Sequence, residues 1–220
     1  MEVNAMPDEK IDAILVGLCG RSGSGKGYVS ELFAEIGIPS VDTDAVYREM
    51  TSPSETLSPC MKELAERFGN EVISPDGSLN RSVMRGLVFS GDADALADLN
   101  KITHKHILEK TMQIAAELAE NGAEIVLIDA PLLFESGFDS FCVCSICVTA
   151  PEEKVLKRIM RRDGISEEDA KKRLAVQKPV SELRARADFE IANDSEREVI
   201  LERVKAVAES ITEKYRNQIK

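Results

Sequence analysis

Tryptophan is absent from the 220 residues, and aromatic side chains make up only 5% of them. Recognition of nucleic acid by stacking bases on aromatic rings therefore has little material. Positive charge is also short: 28 Lys and Arg against 39 Asp and Glu leave a net charge of −11. That balance opposes non-specific binding to nucleic acid or to anionic membranes, so neither is expected as a partner. No apolar run is long enough to span a bilayer. The first, "AILVGLC" (13–19), ends in a glycine-rich stretch. The polar first ten residues read as a frayed end, not as a signal peptide. Five cysteines, an odd number, without a signal suggest free thiols in a reducing compartment, and a cytoplasmic location is expected. Three of them fall in "CVCSIC" (142–147). Bounded by "FDS" and "TAP", this run reads as a buried strand, with Cys142 and Cys144 on one face and Cys147 on the other, in preference to a zinc site.

What remains is an ordinary globular composition, 43% hydrophobic and 30% charged, long enough for one generous domain with inserted subdomains. Apolar runs rich in Ile and Val alternate with helical patterns. Strands are predicted at 13–19, 38–44, 124–130, 141–148 and 188–193. Runs without polar alternation fit a parallel sheet covered on both faces. A first helix is marked by Val29, Leu32, Phe33 and Ile36 at i, i+3, i+4 and i+7, with Gly37 as its stop. About 80 residues separate the second and third strands, too many for a simple crossover. They hold a short helix at Pro59–Phe68, a turn at "SPDGS", and a long helical pattern from about Ala93 to Glu120, with a break expected near Thr103. Pro151 is expected at the first position of the next helix, Ser166 with Asp169 as a capping box, and 195–218 as one amphipathic helix.

"GRSGSGKG" (20–27) follows the first strand and opens the first helix, the context in which GxxxxGK is a phosphate-binding loop. Gly20, Gly23 and Gly25 let successive N–H groups converge, the helix N-terminus adds partial positive charge, and Lys26 can reach the β- and γ-phosphates of a nucleotide. The position that usually supplies a Mg²⁺-ligating hydroxyl is Gly27, followed by Tyr28. Mg²⁺ keeps several waters of its own, so a water can stand where the hydroxyl would be. At the end of the second strand, Asp42 and Asp44 share a face if the strand continues. One of them can accept the proton of an attacking hydroxyl, with Asp44 favoured, while the other caps the following helix. Asp129 ends the third strand, where it can hold Mg²⁺ directly or through water. Residues 154–178 carry nine Lys or Arg against four Asp or Glu. Arginines from this segment can close over phosphates.

The series "GLCGRSGSGKG", "GIPSVDTDAVYR", "GSLNRSVMRGLVF", "LNKITH", "APLLFESGFD", "RIMRRDGISEEDAKKRLAVQ" and "ADFEIAND" resembles, in order and spacing, the dephospho-coenzyme A kinases. These are P-loop kinases of the nucleoside-monophosphate kinase type. The resemblance implies an α/β three-layer fold with a five-stranded parallel sheet, a helical CoA-domain insert and a helical lid. By position it implies a nucleotide-binding core at 12–54, 119–151 and 181–220, an acceptor subdomain at 55–118, and a lid at 152–180. It implies ATP as donor, Mg²⁺ as cofactor and the 3′-hydroxyl of dephospho-CoA as acceptor. The site residues it implies are Asp44 as base, Lys26, Arg158 and Arg162 at the phosphates, and Gly20, Gly23, Ser24, Gly25, Gly27, Tyr28 and Asn193 about ATP. Arg48, His104, Pro131, Leu132 and Leu133 fall about the acceptor, and the metal falls to Asp129. In three places the chain departs from the family pattern. Arg21 stands for Gly and Ser22 for an apolar residue, Gly27–Tyr28 stand for Ser/Thr–Thr, and Lys105 stands for Pro. A non-catalytic or weakly active relative, and a kinase for another small acceptor, stay open on the sequence, as do ATP against GTP and a monomer against a weak homo-oligomer.

Overall fold

The computed structural model describes residues 11–89 and 94–216. The polar first ten residues, Ala93 and Gln218 lie outside the described residues. Strands β1 (Ile14–Cys19), β2 (Ser40–Asp42), β3 (Ile125–Asp129), β4 (Cys144–Thr149) and β5 (Phe189–Ala192) form one parallel sheet in the order β2-β3-β1-β4-β5. β1, β3 and β4 are buried along their whole length, as their largely apolar sequences demand, with Asp129, Ser145 and Thr149 as buried polar members. The chain winds from β1 to one side of the sheet and returns through β3. It then crosses to β4 and β5 on the other side. The loop after β1 therefore opens at the point where the winding reverses, the usual ligand crevice of such sheets.

The chain divides into two compact units. The larger holds residues 10–42 and 114–220, and with them the sheet. Its first helix, α1 (Lys26–Glu35), buries Val29, Leu32 and Phe33, and Gly37 follows with φ 83°, a left-handed stop. These side chains share a core with Val16, Leu18, Leu127 and Ile146 of the sheet.

The smaller unit spans 43–113. It contains α2 (Thr43–Met50), α3 (Pro59–Phe68), α4 (Arg81–Val88) and most of α5 (Ala95–Glu120). α3 starts where the Ser58 hydroxyl accepts the N–H of Met61 and Pro59 takes the first position, and Gly69 ends it. Its buried side chains Cys60, Met61, Leu64 and Phe68 pack with Val72, Leu79, Met84 and Ile102 in a core of their own. α5 is continuous through Thr103, where a break was expected. The Thr103 hydroxyl is buried and donates to the carbonyl of Leu99 at 2.7 Å, so a poor helix former is accommodated without interrupting the helix.

The larger unit is completed by α6 (Glu152–Asp163), α7 (Glu167–Ala175), α8 (Val180–Arg186) and α9 (Arg197–Tyr215). α9 adds Ile200, Val204 and Ile211 to the sheet core. Pro151 is the N-cap of α6, one position earlier than expected. Ser166 caps α7 by accepting the N–H of Asp169, but its hydroxyl also donates to the Asp169 carboxylate, so the reciprocal half of a capping box is replaced by a side-chain bond. Two strand boundaries are corrected. β4 begins at Cys144, because residues 138–141 coil into a 3-10 turn; Cys142 lies outside the strand and shares no strand face with Cys144. β2 stops at Asp42, and Thr43 already begins α2.

Candidate active site

β1 ends at Cys19 and α1 begins at Lys26, so residues 20–25 make the whole turn. Gly23 has φ 80° and Gly25 φ 89°, both in the left-handed region. Space is as restrictive as torsion. A Cβ on Gly23 would stand 2.8 Å from the carbonyl oxygen of Val155, and one on Gly25 would overlap the Asn193 amide. Gly25 is also the N-cap of α1, and no side chain caps that end. The first N–H groups of α1 are thus left as donors for an anion.

The loop is held through its carbonyls. Nδ2 of Asn193 donates to the Ser24 carbonyl at 2.8 Å. Nη1 of Arg158 donates to the carbonyls of Gly23 at 3.2 Å and Ser24 at 3.0 Å, and Nη2 donates to the Asn193 carbonyl at 3.4 Å. Asn193 is buried and is itself fixed by its N–H to the Thr149 carbonyl at 2.7 Å. The N–H groups of Ser22 and Ser24 are themselves engaged, with the Gln177 side chain and the Arg21 carbonyl, both at 3.0 Å, so anion binding falls to the first N–H groups of α1. The Ser24 hydroxyl is buried and has no partner.

Lys26 forms an ion pair with Asp129 at the end of β3. Asp129 is only 6% exposed, and its register partner on β2 is Asp42. Two carboxylates therefore stand side by side at the carboxyl edge of the sheet, with a lysine on one of them. Gly27, next in sequence to Lys26, is exposed, and a Cβ there would meet nothing within 4 Å. Tyr28 packs against the sheet core.

Asp44 is not at a strand end, since β2 has stopped two residues earlier. It sits exposed in the first turn of α2. Arg48 is exposed in the last turn of the same helix. His104 is half-buried on α5, and burial lowers its pKa below the usual imidazole value. The neighbouring His106 is buried between two carboxylates, Glu63 at 2.7 Å and Glu109 at 3.3 Å, and Lys105 joins Glu63 at 2.8 Å. After β3, Pro131 and Leu132 are exposed, while Leu133 is fully buried against Gly17 of β1. On α6, Arg162 is exposed; it donates to the Ser22 hydroxyl at 3.1 Å and is gripped by Asp163 through Nε at 2.8 Å and Nη2 at 3.0 Å.

The sequence reading missed the pairing of Asp42 with Asp129, and the roles of Asn193 and Arg158 behind the loop. Parallel strand register brings the first pair together, and an alternation pattern could have suggested it once β2 and β3 were taken as neighbours. No local signal announces the second, because the partners are 134 and 169 residues apart. The thiols of Cys19 and Cys147, register partners on β1 and β4, hydrogen-bond to each other; this raises the Cys19 pKa and lowers that of Cys147. Among the described residues, no group of three or more His, Cys, Asp or Glu could hold a metal ion.

A glycine-rich turn between the central strand and a helix, a lysine at its end and carboxylates on the neighbouring strands define a P-loop phosphotransferase. The family described as dephospho-CoA kinase matches residues 14–198. The chain is 39% identical to the dephospho-CoA kinase of Syntrophotalea carbinolica, over 88% of this chain and 90% of that one. It is 37% identical to that of Arabidopsis thaliana, over 82% and 76%. The chain belongs to the dephospho-CoA kinase family. A solved structure of TT1252 from Thermus thermophilus superposes with TM-score 0.73 at 31% identity, over 91% of this chain and 98% of that one. The shikimate kinase of Bacteroides thetaiotaomicron shares the fold at TM-score 0.51 and 13% identity, over 90% and 98%.

Proposed function

We propose that this chain transfers the γ-phosphoryl group of ATP to the ribose 3′-hydroxyl of dephospho-CoA, releasing CoA and ADP. The observation that carries the reading is the family match across residues 14–198. The phosphate loop supports it, because its glycine turn leads directly into the N-terminus of α1, which no side chain caps, and into Lys26. Lys26 binds the phosphates and exchanges its bond to Asp129 for them. Asp44, exposed in the first turn of α2, takes the proton of the 3′-hydroxyl. Arg162 neutralises charge on the transferring group. Arg48 and His104, in the unit at 43–113, and Pro131 and Leu132, in the larger unit, are the residues that the family resemblance assigns to the acceptor. α6 and α7 form the lid.

The donor set fits Mg²⁺. The adjoining carboxylates of Asp129 and Asp42 are hard oxygen ligands, and the open space at Gly27 admits a water in place of a hydroxyl. Held by Asp129 and Asp42, the ion would supply positive charge that offsets the negative charge of the phosphates.

The test is ADP release from ATP, followed with dephospho-CoA, AMP, shikimate and uridine in turn over a range of Mg²⁺ concentrations. Dephospho-CoA alone should accelerate release. Preference for one of the other three acceptors, or no turnover at any Mg²⁺ concentration, refutes the proposal.

A further inference from the structure

Two consecutive residues of the phosphate loop, Arg21 and Ser22, depart from the pattern of the family resemblance, and both are bonded to the lid. The Arg21 guanidinium donates through Nη2 to the main-chain carbonyl of Leu174 in the last turn of α7. A cation at that position also meets the negative end of the helix dipole. The N–H of Ser22 donates to Oε1 of Gln177, just beyond α7, at 3.0 Å. The Ser22 hydroxyl accepts from Nη2 of Arg162 at 3.1 Å. Asp163, which grips Arg162, also accepts from Arg173 of α7 at 2.5 Å. A continuous chain of polar contacts thus runs from Ser22 through Arg162 and Asp163 to Arg173. Val155 and Ile159 of α6 pack with Ala170 and Leu174 of α7 in a small core, so the two helices respond as one body.

We propose that Arg21 and Ser22 latch the lid to the phosphate loop, and that Ser22 is a positioning residue for Arg162. A glycine at position 21 has no side chain to reach Leu174, and an apolar residue at 22 has no oxygen for Arg162. Two of the three contacts therefore depend on the side chains in which this chain departs from the family pattern. The catalytic consequence rests on the phosphotransferase reading given above; the latch itself does not. Arg162 is exposed and, among the described residues, otherwise bonded only to its neighbour Asp163, so the Ser22 hydroxyl fixes its guanidinium beside the loop that binds phosphate.

Arg21→Gly, Ser22→Ala and Ser22→Thr, made in the full chain, separate these roles. Limited trypsin digestion without nucleotide reads the latch through cleavage at Lys171, Lys172 and Arg173, all exposed on α7. Loss of a charge-assisted bond in Arg21→Gly should speed that cleavage about tenfold, while sites on α9 are cut at the parent rate. Ser22→Ala should lower kcat about tenfold with KM for dephospho-CoA nearly unchanged, and Ser22→Thr should restore it. Parent-like cleavage in Arg21→Gly together with parent-like kcat in Ser22→Ala overturns the proposal. So does cleavage that accelerates equally over the whole chain, which signals general loosening. If the parent does not turn over dephospho-CoA, the proposed activity fails, and the digestion alone decides the latch.

Discussion

Alanine at position 25 and alanine at position 27 should act in opposite directions, although both replace a glycine of the phosphate loop. Gly25 has φ 89°, and holding a residue with a Cβ in that region costs about 1–2 kcal/mol. The same Cβ would overlap the Asn193 amide and break its 2.8 Å bond to the Ser24 carbonyl. A buried pair left unsatisfied adds about 1–3 kcal/mol. The sum, about 2–5 kcal/mol, corresponds to a fall of roughly 4–20 °C in thermal midpoint for a chain of this size. Gly27 lies in α1, and its Cβ would meet nothing within 4 Å, so alanine there gains helix propensity of up to about 1 kcal/mol and raises the midpoint by roughly 2–4 °C. The chain has no tryptophan, so the transition is best followed by calorimetry or far-ultraviolet circular dichroism. Isothermal titration with ADP reports the cradle directly; Gly25→Ala should abolish binding and Gly27→Ala should keep it. A Gly25→Ala protein that melts with the parent and binds ADP normally would show that Asn193 does not hold the loop.

Three further outcomes follow from the site. Asp44→Asn should retain ATP binding in titration calorimetry and lose turnover by about a hundredfold to ten-thousandfold, the usual worth of a positioned base; near-normal turnover would reduce Asp44 to a helix-terminal charge. Burial lowers the pKa of His104, so its neutral form is favoured in the folded state. The stability this represents is complete above the unfolded imidazole value of about 6.5 and is lost as pH falls below it, through the lower folded value. Denaturant titrations should therefore show the parent losing more stability than His104→Gln between about pH 7 and pH 5, and parallel losses would refute the sign. Gly27→Ser places a hydroxyl at the position next to Lys26, where the family pattern has Ser or Thr, and should lower the Mg²⁺ concentration for half-maximal rate. An unaltered Mg²⁺ dependence would mean that the metal takes no ligand at position 27.

The sheet and the loop were legible because several levels of the sequence agree there. The apolar run of β1, the spacing of Gly20, Gly23 and Gly25, and the i, i+3, i+4 pattern of Val29, Leu32 and Phe33 all demand one strand–loop–helix. α3 was legible for the same reason, with Ser58 and Pro59 at one end and Gly69 at the other. Where levels conflict, boundaries slipped. "VDTD" offers a strand on its left and a helix on its right, and the Asp–Thr–Asp run suits either; the structure ends β2 at Asp42. Residues 138–143 are apolar enough for a strand, but the 3-10 turn at 138–141 delays β4 to Cys144. Thr103 looked like a breaker because propensity ignores the hydroxyl's bond to Leu99. The bracing of the loop by Arg158 and Asn193 was beyond local reading altogether, since it exists only once α6 and β5 are folded against the turn.

That bracing decides how the two arginines of α6 divide their work. They are one helical turn apart, and both could be imagined on the phosphates. Arg158 already donates to the carbonyls of Gly23, Ser24 and Asn193. Moving it onto a phosphate would take this donor from the carbonyls of Gly23 and Asn193, at about 1–3 kcal/mol each, and leave the Ser24 carbonyl with the Asn193 amide alone. It would also release the turn that leads into α1, whose first N–H groups are to bind that phosphate. Arg162 instead holds the carboxylate of Asp163 and the hydroxyl of Ser22. Replacing a carboxylate by a phosphate exchanges one anion for another, in the same bidentate geometry, at little cost. We therefore propose that Arg158 is the brace and Arg162 the arginine that meets the transferring group. Lysine substitution separates them, because it keeps the charge and removes the planar fork. Arg158→Lys should lower both thermal midpoint and ADP affinity, since a single ammonium cannot span three carbonyls. Arg162→Lys should leave both nearly unchanged and lower kcat. If Arg158→Lys binds ADP and melts as the parent does while kcat alone collapses, Arg158 is the phosphate ligand and the division is reversed.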